Sequence, residues 1–309
     1  MTTKSNRRSG DARQKIVDTI LASRATTKSL KKQAETKRFL KQYFADVPFE
    51  DLDGRSETIM ARVALDHLEF GATRKRGQAL LRIFNPNEKE HGYVSAFTFV
   101  EMINDDMPFL VDSVAAAINH HNLGVHITVH PIISVTRDKN GKLKSIARAD
   151  DDDAVPESFI RFAISRETDE HSLKLLRKEI TKVLSDVRVT VRDWGAMRQR
   201  MRETADLLEN GPKTADPLLR SESQALLEWM ADEHFTFLGY REYKLVSRGK
   251  RTFLNAVKGS GLGVLSRDDG KHSSIELTAE MERLRRSRDW LILTKANSRS
   301  TVHRPAFLD

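Results

Sequence analysis

Residues 95–136 read SAFTFVEMINDDMPFLVDSVAAAINHHNLGVHITVHPIISVT, and three patterns follow one another in that run. From Ser95 to Ile103, Phe97, Phe99 and Ile103 fall on one side of an alternating strand. From Pro108 to His121 the apolar residues Leu110, Val114, Ala117 and Ile118 recur at helical spacing, and Gly124 stops that helix. From Val125 to Thr136 alternation returns. Val125, Ile127, Val129, Ile133 and Val135 face one way, while His126, Thr128, His130 and Ser134 face the other.

Working outward, the same grammar continues on both sides. A short strand at Leu81–Phe84 precedes the run and ends at Asn85-Pro86. After it come a turn at Lys139-Asn140-Gly141, an acidic loop at Asp150–Asp153 and a strand at Glu157–Ser165. Leu173, Leu176, Ile180, Val183 and Leu184 mark a second helix, and the alternation of Val187, Val189 and Val191 predicts a further strand. The order is βαββαβ, a ferredoxin-like sheet with two helices on one face. The predicted class is therefore α+β.

Five regions follow from this reading. Residues 1–28 form a basic leader without sustained apolar periodicity, expected to lack fixed structure. Residues 29–79 are a helical lead-in: one helix spans Ser29–Phe44, and a second starts at an N-cap Ser56 and stops at Gly71. Residues 80–195 are the βαββαβ domain, and 196–216 are a linker or helix. Residues 217–309 read as a second α+β domain, incomplete at its C-terminal side. It has a helix at Leu218–Ala231, strands at Phe235–Val246 and Arg251–Val257, a glycine loop at Gly259–Gly263, a helix at Leu277–Arg286 and a strand at Trp290–Thr294.

Of the 309 residues, 39% are hydrophobic and 31% charged, with no cysteine. Disulfides and thiolate metal sites are excluded, and a reducing cytoplasm fits. The net charge of +8 is unevenly placed. Twelve Lys/Arg against three Asp/Glu lie in the first 42 residues, leaving 40 basic and 41 acidic residues of the totals of 52 and 44. The body is neutral and the basic excess is a solvated leader, which weakens a nucleic-acid reading. No apolar run is long enough to span a bilayer.

Several motifs fail on inspection. Gly259, Gly261 and Gly263 do not make a dinucleotide loop, because the third required glycine falls on Val264. Gly270-Lys271 is followed by His272, so it does not end a phosphate loop. The glycine run reads as a mobile connection, and no cofactor-binding residues are placed in the chain. His120, His121, His126 and His130 are dense, but two histidines four apart on one strand lie two pleats apart, too far to share an ion. No metal ligands are assigned. No G-x-S-x-G or H-E-x-x-H is present, so no catalytic residue is assigned either. The βαββαβ order is also that of RNA-recognition domains. Phe159 and Phe162 on the third strand point to opposite faces and the stacking signature is missing, so RNA binding or a protein-interaction module is the alternative.

The candidate ligand site is the loop where the first long strand passes to the first helix. Asn104, Asp105, Asp106, Pro108, Phe109 and Asp112 form it. Pro108 suits the first helical position, and the two adjacent aspartates sit beside the positive helix end. A zwitterion fits this loop, its ammonium at Asp105 or Asp106 and its carboxylate at the backbone N–H groups of the first turn. The bland alternative is a well-capped helix start.

Residues 104–114, NDDMPFLVDSV, resemble a signature of the large NAD-dependent glutamate dehydrogenases. The similarity extends over nearly the whole chain after about residue 37, through Asn85-Pro86 with His91-Gly92, Val125-His126 with His130-Pro131, and Asp193-Trp194 with Met197. It continues through Glu228-Trp229 with His234–Glu242, then Gly259–Gly263, and finally Thr294–Pro305. In that family the catalytic domain lies far C-terminal to such a region, and the N-terminal part carries ACT-like domains that in other proteins bind amino acids. The resemblance implies a non-catalytic regulatory or assembly segment. The whole enzyme would convert L-glutamate, NAD and water to 2-oxoglutarate, ammonium and NADH. It also implies NAD as cofactor of the full enzyme, and as partners the catalytic remainder of the polypeptide, further copies in a homo-oligomer and an amino-acid effector. Ligand-binding ACT domains place a glycine after the helix-starting proline; here Phe109 stands there.

Overall fold

The structure is a computed structural model. It describes residues 10–11, 14–15, 17–19, 22, 30–48, 51, 56–148, 151–209, 216–249, 251–267 and 273–286. The chain divides into two units, Met1–Leu184 and Ser185–Asp309. The helical lead-in thus belongs to the same unit as the sheet, and the boundary falls ten residues or so before the expected 195.

In the first unit the elements are α1 (Leu30–Tyr43), α2 (Glu57–Phe70), β1 (Leu80–Phe84), α3 (Glu88–His91), β2 (Thr98–Asp105), α4 (Leu110–His120), β3 (Val125–Val129), β4 (Ile132–Arg137), β5 (Leu143–Ile146) and β6 (Val155–Ile164). α5 (Glu170–Glu209) begins in the first unit and ends in the second. Ser56 caps α2 by accepting from the Ile59 N–H, and Gly71 ends it, as the sequence predicted. The sheet is antiparallel in the order β1-β2-β6-β4-β5, with β3 also pairing β6.

Four sequence expectations are corrected. The Val125–Thr136 stretch is two strands, because His130-Pro131 breaks it and proline has no N–H for the ladder. β5 was not foreseen. The strand over Val187–Val191 does not form; those residues lie inside α5. Ile180, Val183, Leu184, Val187 and Thr190 are all buried at three- and four-residue spacing, and this stripe outweighs the strand preference of three valines. The fourth strand of the sheet is instead supplied from upstream, by β1 against β2. The α+β, ACT-like plan stands with its edge strand recruited from the other end of the motif. Fourth, the leader is not featureless: residues described between Gly10 and Ala22 are helical, and Val17 is buried in the core cluster.

The sheet is covered on both faces. Alternation places Glu101, Ile103, Phe159 and Arg161 on the face where Phe39, Leu40, Tyr43, Ala61 and Ala64 of α1 and α2 pack. Gly71 allows this approach, since a Cβ there would lie 2.7 Å from the Ile103 side chain. Val100, Met102, Ile160, Phe162 and Ile164 face the other way and are equally buried. The remaining amphipathic elements of the unit, α4 and the first part of α5, bury Val114, Ala117, Ile118, Leu176, Ile180 and Val183. Both sheet edges are closed. Arg177 of α5 donates to the Leu81 and Ile83 carbonyls at the β1 edge. Residues 72–74 run along β5, where Leu143 N–H donates to Ala72 O and Arg74 N–H to Gly141 O. Closed edges guard against strand addition.

The second unit contains the end of α5, α6 (Pro217–Trp229), a π turn at Met230–His234, β7 (Gly239–Tyr240), β8 (Tyr243–Arg248), β9 (Arg251–Ala256), β10 (Leu262–Gly263), β11 (Ser274–Glu276) and α7 (Ala279–Arg286). β11, β9 and β8 form one sheet, and β10 pairs β7. Ala205, Leu208 and Leu227 pack α5 against α6. At the end of the glycine loop Gly263 N–H donates to Asp193 Oδ2 at 2.8 Å, and Gly263 sits in β10. The strand expected at Trp290–Thr294 lies outside the described residues.

Candidate functional site

Charged residues sit inside otherwise apolar strands of this sheet: Arg82 in LLRIF, Glu101 in TFVEMIND, Arg161 in VPESFIRFAI. The register puts them in a row, with Glu101 opposite Arg82 on one side and Arg161 on the other. One carboxylate therefore serves two guanidiniums. Glu101 Oε1 accepts from Arg161 at 2.8 Å and Oε2 from Arg82 at 2.7 Å. Arg82 also reaches Asp66 at 2.6 Å. The Arg161 guanidinium lies 3.8 Å from the centre of the Phe99 ring and donates to Tyr93 Oη at 3.1 Å. Burial opposes ionisation of Glu101; His67, Arg161 and Arg82 outweigh it and hold the carboxyl below the usual range. Nearby, Tyr43 Oη and His67 Nδ1 are 3.0 Å apart, both fully buried. Burial pushes His67 down to about 4 against the pull of Glu101, so at neutral pH its ring is uncharged. Burial also raises the Tyr43 hydroxyl far above its ordinary value.

A cavity of about 310 Å³ opens beside this row. Its walls include Tyr43, Met60 and Val63 from the helices, Phe97 and Phe99 before and in β2, and Ile127 and Val129 of β3. Arg161 and Asp51 are its charged lining residues.

A second cluster occupies the other end of the same sheet face. Glu157 lies directly across from Asp105, two like charges in register. Arg74 resolves the repulsion by donating to both, at 2.7 Å to Glu157 and 2.8 Å to Asp105. Arg137 grips Glu157 with two donors at 2.7 and 2.8 Å, and its remaining nitrogen reaches the Gly71 and Gly141 carbonyls. Gly141 has φ +85°, and a Cβ there would sit 2.5 Å from Arg74 O, so the turn requires glycine. The cleft at this end, about 400 Å³, is rimmed by exposed Lys75, Arg76 and Lys139.

The loop named from the sequence lies beside this second cluster. Asn104 is buried in β2. Asp105 is engaged by Arg74 and by the Gly77 N–H at 3.0 Å. Asp106 accepts from Ser158 Oγ at 2.6 Å, and His130 Nε2 lies 3.0 Å from that hydroxyl. Neither aspartate caps the helix. Pro108 is not its first residue: α4 begins at Leu110, and Phe109 precedes it with φ 71° and no side-chain cap. The position where the resemblance expects glycine keeps the left-handed backbone with a phenylalanine, at a cost of about 1–2 kcal/mol. Asp112 is exposed in the first turn of α4. The histidines also separate: His120 and His121 both meet Glu179, at 3.0 and 2.7 Å, whereas His126 lies 3.0 Å from Ser165 Oγ. Among the described residues no group of three or more His, Cys, Asp or Glu could hold a metal. Phe159 and Phe162 are fully buried, which leaves neither ring to stack on an RNA base.

One family model, described as glutamate dehydrogenase, ACT1 domain, matches residues 39–180, which hold the sheet and its covering helices. This region is similar to that ACT1 domain. The chain is 30% identical over 284 residues to the NAD-specific glutamate dehydrogenase of Halomonas elongata, covering 90% of this chain and 18% of that protein. It is 30% identical over 300 residues to the NAD-specific glutamate dehydrogenase of Pseudomonas aeruginosa, covering 96% of this chain and 18% of that protein. The chain thus spans less than a fifth of the length of these relatives. Within the matched region Arg177 meets one edge of the sheet, and residues 72–74 run along the other. Among the described residues no helix is long and apolar enough to cross a membrane.

Sequence reading missed the Glu101 and Glu157 clusters, whose partners are 19 to 83 residues apart. The available signal was the charges embedded in the apolar strands: Arg82 in one, Glu101 and Asp105 in the next, Glu157 and Arg161 in the third.

Proposed function

We propose that this chain is a non-catalytic regulatory and assembly segment of an NAD-dependent glutamate dehydrogenase. The enzyme as a whole would convert L-glutamate, NAD and water to 2-oxoglutarate, ammonium and NADH, with NAD held elsewhere in the polypeptide. The observation that carries the reading is the ACT1 match over residues 39–180 together with 30% identity to two such enzymes across nearly all of the chain. The reading gives the chain a cytoplasmic place, and as partners the catalytic remainder of the same polypeptide and further copies in a homo-oligomer. Nucleic acid and membrane are not among them.

Within that reading, assembly is favoured over effector binding at Asn104, Asp105, Asp106, Pro108, Phe109 and Asp112. Asp105 and Asp106 already have partners inside the domain, and their charge supports the fold. An amino-acid effector at this loop would have to compete with Arg74 and Ser158. Calorimetric titration with glutamate at millimolar concentration decides it, and heat of binding that disappears in Asp106→Asn would restore the effector site. The test of the main reading is an assay of purified residues 1–309 with L-glutamate and NAD. No NADH should form; turnover of about 1–1000 per second would overturn the proposal.

A further inference from the structure

The apolar cavity beside the Arg82–Glu101–Arg161 row has a charged floor whose charges already cancel. Arg82 and Arg161 are met by Glu101 and Asp66, and His67 is neutral. The other charged lining residue is an acid, Asp51. A carboxylate entering the cavity would therefore join Glu101 and Asp51 in an apolar setting with no unmatched cation among the described lining residues to receive it. The floor nonetheless keeps hydrogen-bonding capacity. A guanidinium has five N–H donors. Glu101 and Tyr93 take one each, and Tyr43 Oη is placed to accept a third. Arg161 is 4% exposed and lines the cavity, so a bound acceptor could take one of its remaining donors. The walls include Met60, Val63, Phe97, Ile127 and Val129, and the described lining residues carry no other charge. A cavity of about 150 Å³ takes one benzene ring, so 310 Å³ takes about ten non-hydrogen atoms.

We propose that this cavity binds an uncharged amphiphile of that size, a short chain or fused ring carrying one acceptor such as a ketone, ester or amide carbonyl. The acceptor bonds Arg161 and the apolar part lies between the β3 side chains and α2. The site lies on the helix-covered face of the sheet, away from the Asn104–Asp112 loop, and the inference does not depend on which enzyme the chain regulates.

The test uses the 309-residue chain with labelled methyl groups and two probes, 2-nonanone and nonanoate. 2-Nonanone should shift the methyls of Met60, Val63, Ile127 and Val129 saturably, with Kd below about 1 mM, and nonanoate should bind at least about tenfold more weakly. Methyls of Leu176 and Ile180 should not move. Val63→Phe fills the space and should abolish the shifts; Val129→Phe does so from the opposite wall if the first variant folds poorly. Shifts that never saturate, shifts centred elsewhere, nonanoate binding as tightly as the ketone, or unchanged binding in a folded filled variant would each overturn the proposal.

Discussion

One sheet face carries two buried glutamates, and each holds two arginines. At one end Glu101 lies between Arg82 and Arg161 beside an apolar cavity. At the other, Glu157 lies between Arg74 and Arg137 beside a cleft rimmed by exposed lysines and arginine. In the first motif Arg82 meets Glu101 and Asp66, and Arg161 meets Glu101. The second shares its arginine with Asp105 and is buried as deeply, with Arg74 and Glu157 each 1% exposed. The same charge pattern therefore does different work according to what surrounds it. Beside the cavity it leaves a neutral floor; at the other end it anchors the turns at Gly71 and Gly141 next to a cleft lined by Lys75, Arg76, Lys139, Asp138 and Asp153.

The two glutamates should therefore not cost the same to remove. Glu101→Gln leaves the buried Arg161 and the partly buried Arg82 facing an amide and should destabilise the domain by about 3–5 kcal/mol in urea unfolding. The next effect is one of pH. His67 binds its proton only near pH 4 in the fold but near its ordinary 6.5 when unfolded. Between those values the unfolded state binds more protons, so stability is full above pH 6.5 and falls as pH drops toward 4. The loss is on the order of 3 kcal/mol, and His67→Gln should flatten that slope. Glu157→Gln should cost less than Glu101→Gln, about 1–3 kcal/mol, because Arg74 keeps Asp105 and Arg137 keeps the Gly71 and Gly141 carbonyls. A Glu157→Gln loss equal to or above that of Glu101→Gln would erase the contrast. Smallest is Phe109→Gly, where relief of the left-handed backbone offsets lost packing and the net change in melting should stay within about 1 kcal/mol.

Legibility in the sequence followed the range of the interactions. α2 was readable to its ends because Ser56 and Gly71 act within one turn. The β2–α4 succession was readable because alternation and helical spacing are local. Val187–Val191 misled because a three-valine alternation is also three positions on a helix, and only the buried stripe from Ile180 onward separates the two. β1 was seen as a strand, but its place at the sheet edge was not, since pairing with β2 is set by packing. The loop aspartates read as helix caps on position alone; Arg74, 31 residues away, takes Asp105 instead. The Arg82–Glu101–Arg161 row needed the register of three strands, which no local pattern contains.

The proposed role, modulating and assembling a glutamate dehydrogenase whose chemistry lies elsewhere, is tested most directly on the catalytic remainder that this reading requires, with and without residues 1–309 added back. Glutamate-dependent NADH formation should persist in the remainder alone, while its glutamate saturation curve and its mass in solution should change when the chain is restored. A remainder that is inactive until this chain supplies catalytic groups, or whose saturation and mass are identical with and without it, would contradict the account.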